Sequence, residues 1–164
     1  MMVVVFGLPG SGKSTMAVRL ARRLEAVWIS SDAIRGERGL SGDYSKESIA
    51  AVYREMMTRA GSHLTDGAKV VLDGSFSNRR FRQQARELAG SHGVPLALIH
   101  MVADDRVTLR RVGRRRRLTE AGPEAYQLLK RNFDPIEEEH LTLDSSKTRV
   151  KGLLKQALHY LDVC

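Results

Sequence analysis

The stretch Val3-Val4-Val5-Phe6-Gly7-Leu8-Pro9-Gly10-Ser11-Gly12-Lys13-Ser14-Thr15 decides the fold. Its opening, valine-rich and without a polar group, reads as a buried strand. Gly7 to Ser14 then fit the spacing G-x-x-x-x-G-K-[ST], and Met16, Leu20, Ala21 and Leu24 share one helical face after it. Strand, glycine loop and helix in that order make a cradle for a polyphosphate. Glycines let several backbone N–H groups approach a bulky anion, and the helix start adds the positive end of its dipole. This places Gly7, Pro9, Gly10, Ser11 and Gly12 around a nucleoside triphosphate, either ATP or GTP. Lys13 is expected at the β- and γ-phosphates, the Ser14 hydroxyl on Mg2+ and Thr15 at the α-phosphate.

Further strands are expected at Val27–Ser30, Lys69–Asp73 and Leu96–Val102, with a weaker one near His140–Asp144. Between them, Ile49, Val52, Tyr53, Met56, Met57, Ala60 and Leu64 form one apolar helical face. Val150, Leu153, Leu154, Ala157, Leu158 and Leu161 form another, with Ser145 and Ser146 as candidate caps. Alternating strands and helices imply an α/β three-layer sandwich, a parallel sheet of roughly five strands with helices on both faces. Trp28 and Tyr53 read as core packing.

The 164 residues suit one domain, 1–164. Met1 to Phe6 is preceded by no basic residue and stopped by Gly7, too short for a signal peptide or membrane span, so a cytoplasmic protein is expected. Cys164 is the only cysteine, which rules out an intrachain disulfide and a thiolate metal site. His63, His92, His100, His140 and His159 include no pair at helical ligand spacing, which argues against zinc. A formal charge of +8 favours anionic partners.

Nucleotide binding alone fits motors, switches and kinases, and other residues discriminate. No Asn-Lys-x-Asp guanine motif occurs, and Gly39 to Asp43 reads as a turn. After the second strand, Asp32 and Arg35 stand three apart at the carboxyl end of the sheet, where an acceptor would lie. The carboxylate suits a base for an attacking hydroxyl, and the guanidinium suits an anionic group. The alternative makes Asp32 a helix cap and Arg35 a solvated cation. The third strand ends in Asp73, placed to hold magnesium through water or to order the acceptor side. Ser75 follows it, as an acceptor contact or a turn residue. Seven arginines lie between Arg106 and Arg117. They suit a cationic lid over roughly 104–122 that offsets charge on the transferring group, with Arg110 and Arg114 the first candidates. The alternatives are a face for nucleic-acid phosphates or a solvated helix.

With these residues the chain resembles the small P-loop kinases grouped around zeta toxins, chloramphenicol-type phosphotransferases and 5'-hydroxyl polynucleotide kinases. The resemblance rests on GLPGSGKST, SSDAIR, YSKESIAAVYREM leading into DGAKVVLDGSF, and GVPLALIHMVADDRVTLRRV, and covers nearly the whole chain. It implies a five-stranded parallel sheet of order 2-3-1-4-5 with a lid after the fourth strand. It also implies Asp32 as base, Arg35 at the acceptor, and Lys13 and Ser14 on nucleotide and metal. The expected activity is transfer of a γ-phosphoryl group to a hydroxyl-bearing acceptor, first of all a small molecule. A polynucleotide 5'-hydroxyl is the second candidate. The rival of another class is a module that binds single-stranded nucleic acid and hydrolyses ATP without an acceptor. Oligomeric state is not legible.

Overall fold

In the computed structural model the described residues are 1–114 and 123–162, the side chains of 114 and 123–125 excepted. The second part of the expected lid, including Arg115, Arg116, Arg117 and the side chain of Arg114, therefore lies outside the described residues, as does Cys164.

The chain runs β1 (Met2–Phe6), α1 (Lys13–Leu24), β2 (Val27–Ser30), α2 (Ser31–Glu37), α3 (Lys46–Thr65), β3 (Val70–Gly74), α4 (Arg79–Ser91), β4 (Leu96–Val102), α5 (Asp105–Arg114), α6 (Pro123–Arg131), β5 (Leu141–Asp144) and α7 (Val150–Asp162). The sheet is parallel throughout, in the order β2-β3-β1-β4-β5. β1 is its central strand, buried on both faces, which explains why its sequence is apolar without alternation.

The strand period of two divides the core between the faces. Met2, Val4 and Phe6 pack with Val52, Met56, Phe76 and Phe81 under α3 and α4. Val3 and Val5 pack with Met16, Leu20, Leu153 and Ala157 under α1 and α7. Two expectations need correction. Trp28 is 43% exposed, because β2 is an edge strand and leaves its ring half uncovered. Ser145 and Ser146 do not cap α7, which starts only at Val150; Ser146 turns back to Asp144, and Ser145 reaches the glycine loop.

A buried arginine ties the loops of the α4 side together. Arg82, in the first turns of α4, donates from Nη1 to the Phe76 carbonyl (2.9 Å) and from Nη2 to the Pro135 carbonyl (2.6 Å), while Nε faces Glu138 at 3.3 Å. Next to it the His100 ring stacks on Phe6 at 4.9 Å, with Phe133 and His140 around it. Register sets the rest: Phe6 pairs with Gly74 on one side and His100 on the other, and Ser30 pairs with Asp73. The glycine loop, the turn after β3 and the start of α2 therefore meet at one edge of the sheet.

Candidate active site

The glycine loop links β1 to α1, and its shape depends on the glycines. At Gly7, φ is +144° and a Cβ would lie 2.2 Å from the Met101 carbonyl oxygen, so no other residue fits. Gly12 takes the N-cap of α1 in the left-handed region, φ +91°. Lys13 and Ser14 follow as the first helical residues, with the helix dipole behind them.

The loop is also held from outside. Arg111 of α5 donates from Nη1 to the Gly10 carbonyl (3.1 Å) and to Ser145 Oγ (2.7 Å), and from Nη2 to the Ser145 carbonyl (3.1 Å). Ser145 Oγ in turn donates to the Ser11 carbonyl at 2.8 Å. Because a peptide's C=O and N–H point in opposite directions, tying the Ser11 carbonyl to this flank turns the Gly12 N–H away from it. Arg110 and Arg114 are the arginines expected to offset charge on the transferring group, a different role from this one. Arg110 is exposed on α5, and it is Arg111 that touches the loop. The run of arginines hid this, but the two uncharged side chains Thr108 and Val112 mark the face of α5 that meets Gly10.

Facing Lys13 and Ser14 is Asp73, at the end of β3. It is 1% exposed, and neither carboxylate oxygen has a hydrogen-bond partner among the described residues. Burial pushes its carboxyl above the ordinary carboxylate value, against the pull of the Lys13 ammonium and the Ser14 hydroxyl, with the Asp32 charge adding to the rise. A buried carboxylate with free oxygens beside a serine hydroxyl is an oxygen donor set that suits a hard divalent cation such as magnesium. No group of three or more His, Cys, Asp or Glu side chains forms a separate metal site among the described residues.

Asp32 lies in the first turn of α2, exposed, two residues past the Ser30 that pairs with Asp73. It is not the cap. Ser30 holds that place, its Oγ accepting from the Ala33 N–H at 3.4 Å. Arg35 is buried rather than solvated: Nη1 donates to the Asp43 carbonyl and to Ser48 Oγ (3.2 Å), and the guanidinium covers the Tyr44 ring at 4.6 Å. It thereby fixes the segment from Asp43 to Ser48 to α2. On the other side of the loop a cavity of about 610 Å³ opens between Gly12, Thr15, Met101, Arg111, Arg149 and Val150. The edge thus carries a phosphate loop at its centre, carboxylates toward β2 and a cavity toward β5.

Comparison with known proteins agrees with this geometry. Over 100 residues the chain is 38% identical to the uncharacterized protein Rv2004c of Mycobacterium tuberculosis and to a Mycobacterium bovis counterpart, a match covering 54% of the chain. It spans about a fifth of those relatives' length, 20%. Among solved structures it is similar to a putative kinase from Chloroflexus aurantiacus (TM-score 0.79, 20% identity, 99% of this chain and 96% of that one). It is also similar to a gluconokinase from Sinorhizobium meliloti (0.75, 20%, 98% and 90%) and to the Mycobacterium tuberculosis APS kinase CysC solved with AMPPNP and APS (0.68, 20%, 98% and 95%). At such identity these likenesses establish the fold, which is that of the small P-loop kinases. The AAA domain family matches residues 2–136, and the chain belongs to it as a P-loop NTPase.

Proposed function

We propose that residues 1–164 form one catalytic domain, an ATP- and magnesium-dependent phosphotransferase that moves the γ-phosphoryl group to the hydroxyl of a small molecule. The observation that carries this reading is the placement of two acidic residues beside one phosphate loop: Asp73 buried against Ser14 and Lys13, and Asp32 exposed one strand further out. Motors and switches need the first; an exposed carboxylate on the acceptor side suits a kinase. Two of the structural relatives are named for small acceptors, a gluconokinase and an APS kinase, which supports the acceptor class.

In the mechanism, backbone N–H groups of Gly7 to Gly12 and the Lys13 ammonium hold the triphosphate. Ser14 and Asp73 would hold magnesium, which neutralises phosphate charge when bound. The cavity beside Arg111 and Arg149 takes the nucleoside. Asp32 accepts the acceptor's hydroxyl proton as that oxygen bonds to the γ-phosphorus, and the bond from the γ-phosphorus to the β,γ-bridging oxygen breaks to release ADP. Arg35 shapes the acceptor side through Asp43 to Ser48. Among the described residues no helix is long and apolar enough to cross a membrane, which is compatible with a cytoplasmic enzyme.

The test is γ-labelled ATP with magnesium and a panel of sugars, sugar acids and a 5'-hydroxyl oligonucleotide, with Asp32→Asn as control. Label is expected in a small molecule at a rate that falls at least 100-fold in Asp32→Asn, with ATP affinity within about threefold of wild type. Transfer by Asp32→Asn at the wild-type rate would remove the base assignment. Label in the oligonucleotide alone would make the protein a polynucleotide kinase.

A further inference from the structure

The turn after β3 is more constrained than a phosphate site alone requires. Phe76 sits at φ +42°, in the left-handed region that a bulky side chain avoids, and its ring is fully buried. Such strain persists only where the surroundings over-determine it. Here the Ser75 carbonyl accepts from the N–H of Gly7, the first residue of the phosphate loop, at 3.3 Å. The Phe76 carbonyl is held by Arg82, and the Phe76 N–H donates to the hydroxyl of Tyr53, a buried residue of α3, at 2.8 Å.

That last bond fixes where the protons lie. A phenol has one proton, and Tyr53 Oη already accepts from Phe76; among the described residues its other hydrogen-bond partner is Ser75 Oγ at 3.2 Å. Tyr53 therefore donates to Ser75. Ser75 Oγ, with its acceptor side engaged and Tyr53 its one hydrogen-bond partner among the described residues, has its own proton left to give. The residue is half-buried at the carboxyl edge of the sheet, between the loop's first glycine and the start of α2. Ser75 lies two residues past Asp73, as Asp32 lies two past its strand partner Ser30, and a Cβ at Gly74 would meet both Ser31 Oγ and Tyr53 Oη at 3.1 Å, so the pair sits against the start of α2 that carries Asp32.

We infer that Ser75 is a donor to the attacking oxygen and that Tyr53 is the positioning residue that aims it. The serine holds a lone pair of the nucleophile, so that the nucleophile's own proton is left for Asp32. This deepens the phosphotransferase reading and rests on its placement of the acceptor, yet it applies equally when water takes the acceptor's place.

It can therefore be tested without an identified acceptor. Slow hydrolysis of magnesium-ATP would be followed in single turnover with γ-labelled nucleotide, and binding of ADP with and without aluminium fluoride by the emission of the one tryptophan, Trp28. Ser75→Ala is expected to slow hydrolysis roughly three- to tenfold and to weaken ADP–aluminium fluoride by a similar factor, with ADP binding unchanged. Tyr53→Phe should do the same, and the double variant should be no slower than Ser75→Ala alone. Ser75→Thr should restore the rate. Should Tyr53→Phe prove too unstable to study, the serine variants decide the matter alone. Additive losses, a Ser75→Ala variant indistinguishable from wild type in both assays, or a Tyr53→Phe variant that loses only thermal stability would overturn the inference. A protein that hydrolyses ATP with this serine dependence but labels no acceptor would remove the kinase reading and leave the inference standing.

Discussion

Asp73 shows how much one side chain can declare. A buried carboxylate with neither oxygen hydrogen-bonded among the described residues is costly, and the nearby Lys13 ammonium offsets only part of that cost, leaving the rest to a bound cation. Asp73→Asn is therefore expected to weaken nucleotide binding in magnesium roughly 10- to 100-fold, as loss of a metal-orienting group does, without lowering the thermal midpoint of the metal-free protein. Calorimetric titration with and without magnesium measures the first, and a melting curve in chelator the second. A midpoint well below wild type would mean that the carboxylate has a structural partner instead. This residue was legible in the sequence because a strand ending in an acid is a local pattern. Ser145 was not: its partner Ser11 is 134 positions away, and no local signal joins them. Arg111 was masked by like neighbours, since a periodicity cannot be read from a run of one residue type.

At the scale of elements, α2 carries the proposed acceptor side. It is a seven-residue helix, too short to hold itself, and its first turn carries Asp32. Its start depends on the Ser30 cap, so Ser30→Ala is expected to cost about 1 kcal/mol in urea unfolding and to lower kcat while leaving KM for ATP within about twofold. An unchanged kcat would show that packing of the buried Ile34 and Arg35 suffices to place the carboxylate. One reading of the sequence puts the cap at Asp32, and it lies at Ser30, because serine and aspartate are both good caps and element ends shift by a residue or two. The strands themselves were clear, since β1, β3 and β4 are nearly uninterrupted apolar runs of the kind a buried parallel sheet requires.

The whole molecule carries a pH dependence at its centre. Burial, helped by nearby His140 and Arg82, lowers the pKa of His100 to about 4 from its ordinary 6.5. Between those values the unfolded chain binds more protons at this position than the folded one, so the contribution to stability falls as pH drops through that window and is level above it. The thermal midpoint of wild type is expected to fall by several degrees more than that of His100→Leu on going from pH 7 to pH 4.5, measured by circular dichroism. Equal slopes would assign the acid sensitivity to the carboxylates. No reading of the sequence could have placed His100 here, because its environment is assembled from Phe6 of β1 and from Phe133 and His140 of the connection between α6 and β5, both distant in the chain.

The outward ties on the glycine loop have a consequence in time. Arg111 and Ser145 hold the Gly10 and Ser11 carbonyls through bonds that use no ligand atom, so the shape of the loop is set by the protein itself. Capture of a nucleotide should then run at the pace of encounter, around 10⁶ to 10⁷ per molar per second in stopped flow, linear in nucleotide concentration and without a plateau. Cutting the ties with Arg111→Ala should bend that line toward a limiting rate, as the loop spends part of its time in shapes that cannot receive the triphosphate.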